Sequence, residues 1–325
     1  MSYETRQDKT PKRDGEPHTL TRKLMRVATS PAPTAGRTHA LTSNSARSMS
    51  RSGRATTTTT TTTATRAFSP AFADNASGEF EGHHISVDPV SGDVSTLPAH
   101  YVPDAFREWG VEILDWQSQC STTLRPDEGL YVRDARFVPV VGCEADASTV
   151  ESFERDVIAE DKMTTNDDGW YSAEYVDSKS IEIATHCVTV DDGDQKLRVR
   201  MKHRVDNCGP ARVWRETYYE PFGDGGSLAS ACGQCAASAK FGEYPKTTDA
   251  TLRIRDAAFV APSNAVYLAV GIWFAITVDD DASGAYTSAL GYVNEKANVH
   301  CVSRRSRDAN GVVDASFERR PLSAA

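Results

Sequence analysis

Between Lys196 and Val205 the sequence KLRVRMKHRV alternates apolar and charged residues without a break. Successive side chains of a strand point to opposite sides, so Leu197, Val199, Met201, His203 and Val205 share one face, and Lys196, Arg198, Arg200, Lys202 and Arg204 share the other. A period of two is incompatible with a helix. It predicts an antiparallel strand with one face on the core and one in water, because buried parallel strands read as continuous apolar runs. The five cations would stand about 7 Å apart, twice the strand rise, and would repel if left unpaired. Either carboxylates such as Glu182, Glu216 or Glu220 pair with them across the sheet, or the stripe docks an acidic protein partner.

Similar stretches recur at Val111–Trp116, Leu130–Val141, Trp170–Val176, Ile181–Val190, Ala211–Glu220, Thr251–Phe259, Ala285–Val293, Val299–Arg304 and Val312–Glu318. Turn formers separate them, among them Asp191-Asp192-Gly193-Asp194 and Asn310-Gly311, the latter a hairpin signal. The apolar run Ala265–Val278 has 14 residues, too short for a helical membrane span of roughly 20, and its β-branched and aromatic content reads as one more strand. Two helices are expected. Ser148 to Glu151 has capping-box spacing, with Val150, Phe153, Val157 and Ile158 at helical intervals through Glu160; a shorter helix covers Pro103–Trp109.

About ten strands with short turns and few crossovers predict an all-β fold, an up-and-down antiparallel barrel closed so that no edge is exposed. The barrel is assigned to residues 101–320, with 76–100 as a linker and 321–325 as a tail.

The first 75 residues are a different material. From Pro17 to Ala73 there is no Asp or Glu, but there are eight Lys or Arg and the eight-Thr run Thr56–Thr63. Such a stretch buries too little apolar surface to fold and suits an organelle import peptide, with the chloroplast stroma as first choice and the mitochondrion as second. Because Glu4, Asp8, Asp14 and Glu16 precede it, translation is expected to start at Met25 or Met49, and cleavage is expected between Arg66 and Asn75. Residues 74–325 carry a net charge of −17, which disfavours nucleic acid as a partner.

Chemical motifs are sparse. The chain has no Gly-x-Ser-x-Gly, phosphate loop or His-Glu-x-x-His. Seven cysteines, an odd count, argue against a disulfide framework in a reducing compartment. Cys232 and Cys235 are two residues apart and are candidates for a redox pair; as a zinc site they would need Cys187, Cys208, His186 or His203 to complete four ligands. His186-Cys187 and His300-Cys301 cannot form dyads within themselves, because neighbouring strand residues face opposite ways, which leaves His186 with Cys301 across strands. A pocket lining is drawn from the face of the 265–278 strand that alternates large and small, Tyr267, Ala269, Gly271, Trp273, together with His203, Trp214 and Tyr218. Solid core packing, with Gly271 at a bulge, is the alternative.

The opening REWGVEILDWQSQC (Arg107–Cys120), the segment VGCEADAS (Val141–Ser148) and the closing VSRRSRDANGVVDASFERR (Val302–Arg320) resemble the lipocalin-like (calycin) superfamily, in particular an uncharacterised lipocalin-like family of plastids and cyanobacteria. The resemblance implies a cup that holds a small apolar molecule, with bilin-attachment proteins and photosynthetic assembly factors as more distant relatives. The reading is therefore non-catalytic binding of a small hydrophobic or tetrapyrrole-like ligand. A structural or assembly factor acting through its charged surface is the alternative, and a thiol-dependent lyase using Cys232 or Cys235 is a third. The sequence assigns no cofactor.

Overall fold

The computed structural model describes residues 68–125, 127–138, 150–193, 195–206, 209–220, 259–268, 271–279 and 284–322. Residues 1–67 of the leader, Cys143, Cys208, Cys232, Cys235, the VGCEADAS segment and nearly all of the Thr251–Phe259 stretch lie outside them.

The fold is all-β and antiparallel, as the alternation predicts. Among the described residues the strands are β1 (Gly78–Val87), β2 (Trp116–Arg125), β3 (Gly129–Phe137), β4 (Val150–Ile158), β5 (Met163–Thr165), β6 (Tyr171–Val176), β7 (Glu182–Asp191), β8 (Lys196–Arg204), β9 (Ala211–Glu220), β10 (Val266–Tyr267), β11 (Ile272–Val278), β12 (Tyr286–Asn294), β13 (Val299–Arg307) and β14 (Val313–Pro321). They divide between two sheets, β4-β3-β2-β1-β9-β8-β7-β6-β5 and β10-β11-β12-β13-β14. The first joins two meanders through a single non-sequential pairing, β1 against β9.

That nine-stranded sheet is a strongly curled half-barrel. In a flat sheet β3 and β8, four steps apart, would be separated by about 19 Å. Instead Asp134 of β3 and Arg200 of β8 meet at 2.5 Å. Tyr175 of β6 and Asp156 of β4, seven steps apart, share a hydrogen bond of 2.8 Å. The face carrying these side chains is therefore concave and encloses a lumen.

The convex face packs on the second sheet. Val188, Val190, Val199, Met201, Val213 and Ile85 meet Ile272, Phe274, Ile276, Leu290 and Tyr292 in one buried apolar layer. Several polar groups inside it bond one another: Trp170 Nε1 donates to Ser303 Oγ at 2.7 Å, and the ring of His186 bridges Ser303 and Ser288 at 2.7 and 2.9 Å.

Both ends of the lumen are covered. At one end sits α1 (Pro70–Ala76), started by Ser69, whose Oγ accepts from the Phe72 amide. Phe72 is fully buried among Cys120, Leu130, Val132, Ile158 and Tyr171. At the other end Leu97, Phe106 and Ile113 pack on Trp116 and form a lid that includes α2 (Asp104–Glu108), the short helix expected over 103–109.

Four expectations are corrected. Residues 68–75, assigned to the unfolded leader, belong to the fold, because α1 buries Phe72 among the lumen's apolar residues. The 76–100 stretch contains β1, the strand that joins both meanders; its mixed sequence GEFEGHHISV hides the alternation because both faces are buried. The described part of the 148–160 helix is β4, paired along its length with β3. Its Ser152, Glu154, Asp156 and Ile158 share the lumen face, where Glu154 and Asp156 meet cations from β8 and β9, and that pairing outweighs a helical spacing of apolar residues. The 265–278 run is not one strand: β10 folds back on β11, pairing Tyr267 with Trp273, and Gly271 takes φ +76 at the turn.

Candidate functional site

The lumen is filled by a network of charges. Arg198 and Glu216, each 1% exposed, bond at 2.7 Å through Nε and Oε2. Arg200 donates to both oxygens of Glu216, at 2.9 and 2.7 Å, and to Asp134 at 2.5 Å. Lys202 reaches Asp156 at 2.6 Å. Arg212 binds Glu154 through two nitrogens, at 2.7 and 2.8 Å. At the lid end Arg136 meets Glu151, where a bulge between β3 and β4 turns Glu151 inward; the Tyr101 hydroxyl donates to the same carboxylate at 2.9 Å. Aromatic rings fill the space between: Arg198 lies over Phe80 at 3.5 Å and Arg200 over Trp214 at 4.6 Å.

Among the described residues five cations face five carboxylates, so these charges balance one another. Burial alone would push Asp134 and Glu154 toward the neutral acid. Arg200 outweighs it at Asp134, which stays well below the usual carboxylate range, and Arg212 brings Glu154 down to about 2.

The cationic face of β8 is consequently not a surface. Arg198, Arg200 and Lys202 are buried, and the acidic partner expected for them is internal. Of the carboxylates expected across the sheet, Glu216 takes that role, whereas Glu182 meets Arg307 at 3.3 Å. Lys196 sits over Tyr218 and bonds Asn75, and Arg204 pairs with Asp206.

The six residues expected to line one pocket fall in three places. Trp214 and Tyr218 face the lumen, against His84 and Phe80 respectively. His203 faces the second sheet, with Nδ1 2.9 Å from the Arg204 carbonyl and its ring near Tyr286. Tyr267 and Trp273 lie on the far face of the second sheet, where the Trp273 indole covers Gly291 so closely that a Cβ there would come within 1.9 Å. Gly271 lines no cup: a Cβ would meet the Val293 carbonyl at 2.2 Å.

Nucleophile chemistry finds no activated group among the described residues. Burial raises the Cys187 thiol to about 11 and the Cys301 thiol to about 12, and lowers His203 to about 4. His186 is held neutral by burial and engaged by two serines, so it does not activate Cys301. Cys120, Asp134 and Glu216 approach one another closely enough to suggest a metal site. Arg198 and Arg200 already neutralise the carboxylates that a cation would need.

A more open concavity lies on the far face of the second sheet. It has a volume of about 290 Å3, a floor of Ala275 and Ala289, hydroxyls from Thr277, Thr287 and Ser316, and Arg304 at its side. Cross-strand pairing of Ala275 with Ala289 and of Ala289 with Arg304 sets these residues in one row. Arg304 is 43% exposed and has one long contact, 3.4 Å to Glu318. The alternation of large and small residues along the 265–278 stretch continues through Ala275 and Thr277 and so marked one side of this surface, whereas its β12–β14 side carried no signal. A second recess, of about 390 Å3 and more polar, is bordered by Glu174, Glu182, Arg305 and Arg307, whose charges already pair with one another.

No helix among the described residues is long and apolar enough to cross a membrane. No protein-family model matches the sequence, and no curated protein matches it. Among solved structures, the chain is similar to a Nostoc punctiforme protein of unknown function from the DUF3598 family, at 10% identity and a TM-score of 0.34, over 78% of this chain and 98% of that one.

Proposed function

We propose that this protein is a non-catalytic small-molecule binder, lipocalin-like in its curled sheet, which holds its ligand in the concavity on the second sheet rather than in the lumen. The observation that carries this reading is the contrast between the two spaces: the lumen is occupied by paired charges, whereas the 290 Å3 concavity has an apolar floor, the hydroxyls of Thr287 and Ser316, Asp314 and a half-exposed arginine. A volume near the lower end of ligand sites, about 300 to 1,000 Å3, suits a compact hydrophobic molecule bearing one anionic or hydrogen-bonding group. Plastid import completes the proposal. A reporter fused to residues 25–80 tests it, and a diffuse cytosolic signal would refute it.

Native mass spectrometry of the protein isolated from its own compartment tests the ligand directly. A retained small molecule is expected in the parent and lost in Thr287→Phe, which narrows the concavity from an exposed position. Retention in that variant would move the site elsewhere. A parent that carries nothing would favour the second reading, an assembly scaffold, for which the self-filled lumen speaks.

A further inference from the structure

At the lid end of the lumen, His84, Ser118 and Trp214 border a recess of about 10 Å3, beside Arg136 and Arg212. Both ring nitrogens of His84, Ser118 Oγ and Trp214 Nε1 are buried there without a protein partner. Such orphan groups are rare in folded chains, and several in one recess point to an occupant. The chemistry narrows its identity. Burial, reinforced by Arg212 and Arg136, holds His84 neutral, so its ring offers one donor and one bare acceptor nitrogen. Trp214 offers only a donor, and Ser118 offers both. An anion would leave the acceptor nitrogen of His84 unmatched, and the neighbouring guanidiniums are already neutralised by Glu151 and Glu154. A cation would face an indole N–H and two arginines, and the two carboxylates that also border the recess, Asp134 and Glu154, are already paired with Arg200 and Arg212. The volume is that of about one water.

We propose that this recess is a resident single-water site, in which the water accepts from Trp214 Nε1, donates to the bare nitrogen of His84 and is shared with Ser118. The water links the lid to the charge network: Trp116 lies under the lid and pairs across the sheet with His84, whose ring lies tilted beside Trp214 with 5.1 Å between centroids.

A high-resolution crystal structure of the full chain, with and without a bromide soak, tests this. One density within hydrogen-bond reach of at least two of the three groups, with no anomalous signal, is the expected result. A dry recess or a bromide peak would overturn the proposal. Ser118→Ala supplies an independent reading by its sign. With water present, the variant loses a hydrogen bond and melts at a lower temperature; with a dry orphan hydroxyl, its removal leaves the melting temperature equal or higher, and either of those results overturns the proposal.

Discussion

β8 serves two interiors that share one backbone. Val199 and Met201 enter the apolar layer between the sheets, while Arg198, Arg200 and Lys202 enter the lumen, and both sets are buried. The apolar layer is stabilised by area removed from water, about 25 cal/mol per Å2, and is insensitive to the direction of each contact. The lumen depends on pairing: each buried ion costs several kcal/mol to desolvate, and only matched geometry offsets that. Burial and hydrophobicity are therefore separate properties here, and the two interiors should fail in different ways.

The largest difference is expected at Glu216. Glu216→Ala strands Arg198 and Arg200 without their shared carboxylate, and a loss of about 3 to 5 kcal/mol is expected from the shift in urea midpoint. A loss below about 1 kcal/mol would mean that the lumen is wet and the contrast false. Phe274→Ala, in the apolar layer, should cost a similar amount through its cavity. Added salt should leave the Phe274 effect unaltered.

Acid separates the interiors by pH. His203, on the inter-sheet face, is lowered from 6.5 to about 4, so the unfolded chain binds its proton first. The stability this provides is complete above about pH 6.5 and lost as pH falls toward 4, about 3 kcal/mol for that residue. His186 and His84 are shifted in the same direction and add to the slope. Glu154 in the lumen, lowered from 4.5 to about 2, contributes stability that is lost only as pH falls below about 4.5 and through 2. Melting temperatures across pH 7 to 3 should therefore fall in two stages; His203→Gln should flatten the upper stage and spare the lower.

Smaller effects test the second sheet and the surface. Gly271→Ala must hold a side chain at φ +76 against the Val293 carbonyl, and a cost of about 1 to 3 kcal/mol is expected by chemical denaturation. No measurable cost would restore Gly271 to a cup wall. Lys296→Ala removes an ion pair whose lysine is 72% exposed and should cost about 0 to 1 kcal/mol. Reductant should not move the melting temperature, since Cys120, Cys187 and Cys301 are free thiols; a drop of several degrees would require a disulfide among the other cysteines.

Much of this was legible in the chain. The alternation at 196–205 fixed β8 and its two faces, and Asn310-Gly311 stands at the β13–β14 connection as its turn chemistry requires. What misled was polarity. Val150, Phe153, Val157 and Ile158 looked like the apolar face of a helix, and the cations of β8 looked like solvent-facing charges, because a sequence shows which residues share a face but not what that face meets. The pairing of β10 with β11 was hidden for a related reason: Gly271 inside an apolar run is equally readable as a bulge or as a turn.

The sequence by itself determined the antiparallel all-β class, the period of each face and the division between a hydroxyl-rich leader and an acidic remainder, because those follow from local sterics and composition. Only the tertiary structure decided which strands the curl brings together, that the charged face is the inner one, and that the proposed pocket residues scatter over three surfaces. Curl is set by contacts such as Asp134–Arg200 and Tyr175–Asp156, made between strands far apart in the chain. No local pattern encodes which distant carboxylate an arginine will meet.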